Sequence, residues 1–398
     1  MRQFSALICV MGCITRLFAQ DGAAPFWKSV GLDDVALPET AYREFEPHEY
    51  FAYTLDYEGL VQALSVAPME FTVAANKPVT VQLPNAQGQL EPFSVVESPV
   101  MMPQLWAENR QTRTYSGKSL QTPGKTVRCM FSPTTGFRAM VLLPDKGVEY
   151  IEPLARRQFQ YYMVYNRKAI PAVMYSTDKR GVMEANPEMQ NQVAAFRASL
   201  PAAAPPDRSA ELAPVVVKEF RFAVSATHWF CWDHDTLKDK VFDHIVNYTN
   251  MLSAIYERDM AIRFKLVNNE KNVIFPDPAT DPFAAFNNAF GWMSKNQEVA
   301  NQYIGSANYD VGHVLARNLG PGPGGVGTID AICNTQKAIP GPIAVARATP
   351  RVRPANREAA APSCRTPAFA APITWCLLAK WICISTLVPS WTSGAMWK

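Results

Sequence analysis

From Phe26 to about Tyr165 the apolar positions fall in short runs, many of them alternating with polar ones, and a period of two predicts strands. Pro78-Val79-Thr80-Val81-Gln82-Leu83 alternates, stops at Pro84-Asn85 and resumes beyond Gly88 as Phe93-Ser94-Val95-Val96, which predicts a hairpin with a longer loop. Val127 to Phe131 and Phe137 to Leu143 flank the turn residues Ser132-Pro133-Thr134-Thr135-Gly136, and Pro144-Asp145-Lys146-Gly147 leads into Val148 to Ile151. The economical reading is a β-rich N-terminal region.

The pattern breaks at PAAAPPDRSAELAP, Pro201 to Pro214, which has no apolar period and reads as an extended linker. Glu219 to Ser225 then alternates as a strand. Leu237, Val241, Ile245, Tyr248, Leu252 and Ile255 follow at helical spacing, predicting a long helix with one buried stripe and Asp233 or Asp235 as N-cap. Ala261 to Val267 alternates again, so strand, helix and strand form an α/β unit with a crossover connection. A helical stretch at Asn288 to Val299 and a strand at Tyr309 to Leu315 complete it. The expected class is α+β / α/β: a β-rich domain followed by an α/β domain.

Among the 398 residues 48% are hydrophobic and 18% charged, the balance of a chain that folds. The net charge of +3, with no long basic run, offers no footprint for nucleic acid. Arg2, the apolar stretch Phe4 to Ile14 and Leu17-Phe18-Ala19-Gln20 read as a secretory signal, so a secreted or cell-envelope location is expected. A rival reading makes Val10-Met11-Gly12-Cys13 a lipoprotein signal anchored at Cys13, which Met11 fits poorly. No transmembrane anchor is expected: Thr374 to Val388 is interrupted by Lys380 and closed by Pro389. Without the signal and tail, Cys129, Cys231 and Cys333 remain, too few and too far apart for a disulfide framework.

Candidate chemistry is sparse. His228, Cys231 and His234, in His228-Trp229-Phe230-Cys231-Trp232-Asp233-His234, have a spacing that could touch a metal through soft and borderline donors. The bland reading makes them packing residues in a loop between the first strand and the long helix. Gly320 to Gly327 lacks the Gly-Lys-Ser/Thr ending of a phosphate cradle, and its prolines remove backbone donors. His313 reads as a sheet histidine, Cys129 as a buried strand cysteine, and the Asn247-Tyr248-Thr249 sequon as helix surface.

AIYERDMAIRFKLV (Ala254 to Val267), DPATDPF (Asp277 to Phe283), IGSANYDVGHVL (Ile304 to Leu315) and the glycine-rich run followed by Cys333-Asn334 and Lys337-Ala338 come in an order and spacing that resembles the bacterial reprolysin-like metallopeptidases. Upstream, APMEF (Ala67 to Phe71), ESPVMMPQL (Glu97 to Leu105) and EYIEP (Glu149 to Pro153) are similar to the region preceding the protease domain in that family. The resemblance implies a metzincin domain in which zinc, held by HExxHxxGxxH, activates a water for hydrolysis of protein or peptide substrates.

That motif is missing. The last histidine is His313, and the one His-Glu pair, His48-Glu49, has Ala52 where a second histidine would stand. Beyond Ala338 the composition changes: Glu358 is the single acidic residue, against Arg347, Arg351, Arg353, Arg357, Arg365, Lys380 and Lys398. This is the expectation for a frameshift near Lys337. The expected organisation is a signal at 1–20, a pro-like β-rich region at 21–200, a linker at 201–215, an incomplete catalytic domain at 216–338 and an atypical tail at 339–398. No catalytic residue and no tight zinc binding are expected, and losing the zinc helix should expose the apolar stripe of the long helix. The alternative is a non-catalytic binding or adhesion protein, a pseudo-protease.

Overall fold

Alternation is strictest in the strand Leu90–Glu97, where every second side chain is buried. The structure, a computed structural model, describes residues 26–38, 41–43, 46–170, 216–287 and 289–316. The expected signal, linker, glycine-rich run, Lys337-Ala338 junction and tail lie outside the described residues.

The N-terminal part is a single curled antiparallel sheet with few helices. Its strands are β1 (Trp27–Val30), β2 (Phe51–Leu55), β3 (Val79–Pro84), β4 (Leu90–Glu97), β5 (Arg113–Ser119), β6 (Thr126–Ser132), β7 (Gly136–Leu142), β8 (Val148–Ala155) and β9 (Gln158–Asn166). The pairing order is β1-β2-β9-β8-β7-β6-β5-β4-β3. The expected hairpins are present. Val81 faces Phe93 in β3–β4, and Phe131 faces Phe137 in β6–β7. The Asn85 carboxamide oxygen accepts from the backbone of Gln87 and Gln89, while Gly88 takes a φ of 80° that L side chains rarely adopt.

The two ends of the pairing order, β1 and β3, approach each other, so the sheet wraps its own core. Helix α1 (Tyr57–Ser65), capped by the Asp56 carboxylate on Gly59 N–H, adds Leu60 and Leu64 to it. Trp27 meets the rings of Tyr53, Phe137 and Tyr162 edge-on, the arrangement favoured by aromatic quadrupoles.

The second part has three parallel strands in the order β11-β10-β12: β10 (Lys218–Ala226), β11 (Ile262–Leu266) and β12 (Val311–Leu315). Helix α2 (Pro103–Glu108) belongs to the N-terminal part; helices α3 (His228–His234), α4 (Lys238–Met260) and α5 (Ala289–Tyr303) belong to the second. Helix α4 is the expected crossover between β10 and β11. It ends on Ala261 in the left-handed region, φ 54°, whose N–H returns to the Tyr256 and Glu257 carbonyls.

Three expectations need correction. Residues 228–234 form a helix and not a loop, because the Thr227 hydroxyl accepts from Phe230 N–H and starts a turn. Neither Asp233 nor Asp235 caps α4. The N-cap is Leu237, without a side-chain bond, and the Asp235 carboxylate accepts from Leu237 N–H in the turn before it. Leu237 is 57% exposed and so outside the stripe.

The third correction concerns the stripe itself. Val241, Ile245, Tyr248 and Leu252 pack on the three-stranded sheet through Phe220, Phe222, Val224 and Phe264. Ile255 instead points the other way, joining Ala254 and Met251 against Met140, Leu142, Tyr150, Met163 and Tyr165 of the N-terminal sheet. Helix α4 is therefore covered on two sides. The same contact explains why all eight residues of β8 are buried: Ile151 faces the wrapped core while Val148, Tyr150 and Leu154 face outward toward α4.

Candidate functional site

The best-built group of polar side chains in the second part is centred on α3. Its N-terminus points at the loop that carries Asp281. One Asp281 oxygen accepts from His228 N–H at 2.9 Å and from the His228 Nδ1–H, and the other accepts from Phe283 N–H at 2.8 Å. Asp281 thus ties the start of α3 to the DPATDPF loop, a carboxylate satisfied where a helix leaves its first amides unpaired. The His228 ring lies against Trp229 and Trp232 at centroid distances of 4.8 and 5.2 Å.

His234, two turns on, has a different environment. Its Nδ1–H donates to the Phe230 carbonyl at 2.8 Å and its Nε2 shares a hydrogen bond with the Tyr248 hydroxyl at 2.7 Å. The ring stacks on Phe230 at 4.0 Å and meets His244 of α4 edge-on at 4.9 Å. His244 is buried, and burial together with His234 and the Arg138, Arg156 and Arg157 guanidiniums pushes it well below its usual value.

Cys231 lies between them in sequence and is fully buried. Burial and the Asp281 charge push its thiol up to about 12, so it is protonated at neutral pH and is neither a nucleophile nor a thiolate ligand in that state. At 100° per residue, positions 228, 231 and 234 step around the helix by roughly 60° each. His228 accordingly faces the Asp281 loop and His234 faces α4. The three do not converge on one point.

The remaining candidates are scattered. His313 sits on β12 opposite Val224 of β10, with burial pushing it down to about 4. Cys129 is enclosed in the core of the N-terminal sheet, the buried strand cysteine expected, its thiol pushed up to about 12 by burial. His48 is exposed on the loop before β2. Among the described residues no three His, Cys, Asp or Glu side chains are placed to hold a metal.

Asp281 was not singled out by the spacing of titratable groups. Its signal was the DPATDPF block, where the aspartate before Pro282 marks a turn but says nothing of the histidine it meets across the fold.

No helix among the described residues is long and apolar enough to cross a membrane. No curated protein matches the chain. Residues 216–350 match the family model described as metallo-peptidase family M12B, reprolysin-like, and that segment of the chain is similar to this family.

Proposed function

We propose that the chain descends from an exported zinc endopeptidase and does not itself hydrolyse peptide bonds. In this reading 1–20 is a signal, 21–200 a pro-like region, 201–215 a linker, 216–338 an incomplete catalytic domain, and 339–398 a tail read out of frame. Zinc would supply a metal-activated water in intact relatives acting on protein or peptide substrates. The residues of this chain do not fit that ion. Its five histidines are His48, His228, His234, His244 and His313, and no HExxH spacing joins any two of them.

The observation that carries the reading is the donor set. His228 spends Nδ1 on Asp281, His234 has both nitrogens engaged, and the sequence after His313 supplies no imidazole. The family match runs to residue 350, past the proposed break near Lys337.

Two measurements test this. Metal analysis of the purified full chain should find less than one equivalent of tightly held zinc, and a casein assay should show no activity that a chelator removes. One tight equivalent, or chelator-sensitive cleavage, overturns the inactive reading. Separately, the other two frames of the gene downstream of codon 337 should encode HExxHxxGxxH, and its absence from both defeats the frameshift.

A further inference from the structure

Asp243, Asn250 and Glu257 recur along α4 at intervals of seven residues, a spacing that keeps three side chains on nearly one face of a helix. All three point at the N-terminal sheet. Asp243 accepts from the Thr112 hydroxyl at the start of β5, with Ser132 and Thr134 of the β6–β7 turn also bonded to it. Asn250 donates to the Cys129 carbonyl at 3.1 Å. Glu257 receives Arg128 of β6 and Arg263 of β11, and Arg263 continues to Glu70 at 2.6 Å. Burial works against the Glu257 charge, yet the two guanidiniums hold its carboxyl below the usual glutamate range.

The backbone joins the same surface. Strand β11 is the edge of the three-stranded sheet, and the segment between β4 and α2 pairs with it: Leu266 N–H donates to Val100 O at 2.7 Å and Met102 N–H to Leu266 O at 2.9 Å. The Lys265 ammonium reaches Pro99 O, and Asn268 accepts from Leu105 N–H at 3.3 Å. At Leu266 the edge is closed by a one-residue parallel bridge from Met101.

We propose that the outer face of β5–β9, with residues 97–105, is a binding surface whose partner is the α4–β11 face of the second part, and that the two parts stay together as one non-covalent body when the peptide between them is cut. The partner chemistry is a helix with an apolar flank and a polar seven-residue stripe, beside an open strand edge. Separation would take Arg128 from Glu257 and Glu70 from Arg263, leaving Arg263 and Glu257 only each other, and would expose the apolar contact of Ile255 with Met140 and Tyr165. The inference is independent of whether the chain binds zinc.

The test uses the full chain with a site-specific protease sequence placed within 201–214. After cutting, verified on a denaturing gel, size-exclusion chromatography should show both pieces in one peak in equal amounts, in low salt and in about 1 M salt, where exposed charge pairs are screened. Elution as two species, or loss of one piece as aggregate, overturns the proposal. A second variant addresses the stripe without touching a charge: Thr112→Val with Asn250→Ala removes the Thr112 bond to Asp243 and the Asn250 bond to the Cys129 carbonyl, and the cut pieces should part at least about tenfold faster. Unchanged dissociation would remove the polar stripe from the surface.

Discussion

The two sheets of this molecule solve the edge problem differently. The N-terminal one has nine antiparallel strands, each but the outermost hydrogen-bonded on both sides, and it curls until β1 meets β3 around Trp27, Phe93 and Leu64. The second has three parallel strands and takes part of its cover from outside, with Val100–Met102 on the β11 edge and β6–β9 against the far side of α4. A sheet assembled from neighbouring hairpins can close on itself. One assembled through a crossover helix has a second face on that helix to bury, and here the first sheet buries it.

Breaking the shared contact should therefore cost more than breaking surface pairs of the same chemistry. Arg263 is 2% exposed and joins Glu257 and Glu70. Arg263→Met removes one partner of a buried network and should lower stability by about 3–5 kcal/mol, since it strands Glu70 and leaves Glu257 to Arg128 alone. Arg43→Ala, which breaks the exposed pair with Glu46, should change it by less than about 1 kcal/mol. Urea midpoints at neutral pH measure both, and equal effects would mean that the charges at the contact do not hold the parts together.

A core cavity asks whether the two sheets unfold as one. Leu64 is fully buried in the wrapped core and touches nothing of the second part's clusters. Leu64→Ala should cost about 2–5 kcal/mol. If the parts are one cooperative body, amide exchange in α4 should quicken by the same free energy. Protection in α4 that stays at its wild-type level would show that the second part stands alone.

Much of each sheet was legible because the physics was local. Alternation and turn residues located β3–β4 and β6–β7, and helical spacing located α4. What could not be read was which neighbour a buried residue meets. Ile255 fits the apolar period of the helix, yet it belongs to the opposite face, because a helix covered on two sides has an apolar arc wider than one stripe. Asn247 and Thr249, expected on the helix surface, are buried for the same reason. At α3, Thr227 before His228 was an available capping signal, whereas the pairing of His228 with Asp281 is a contact between distant parts of the chain that no spacing encodes.

A buried acid shows how the second sheet compensates for its shortness. Beyond Leu266 strand β11 ends, and the Glu270 carboxylate accepts the Val224 N–H at 2.8 Å where a strand carbonyl would have been. Its other oxygen has no protein partner, and burial pushes the group well above its ordinary value of 4.5. A raised acid favours the folded state fully below 4.5, and that contribution is lost as pH rises through the folded value. Glu270→Gln keeps an acceptor for Val224 without a charge to bury. The difference in melting temperature, variant minus wild type, should grow from pH 4.5 upward and level off, while the contributions of His244 and His313 cancel in the difference. A flat difference curve would mean that Glu270 is ionised and paired in solution.

A small effect of the opposite sign is expected at Ala261, where α4 hands over to β11. Its φ of 54° places a Cβ in the left-handed region, which costs an L residue roughly 1–2 kcal/mol. Glycine pays no such cost but loses about 0.5–1 kcal/mol more backbone entropy on folding. The first term exceeds the second, so Ala261→Gly should raise stability by up to about 1 kcal/mol, seen as a small rise in the urea midpoint at unchanged slope. The turn leads straight into β11, and the Ala261 carbonyl also accepts from Lys218 N–H at 2.8 Å. A loss of stability on substitution would mean that the pairing of β10 with β11, and not the local cost of the turn, governs this position. The end of α4 would then be set by the sheet it feeds and not by its own turn.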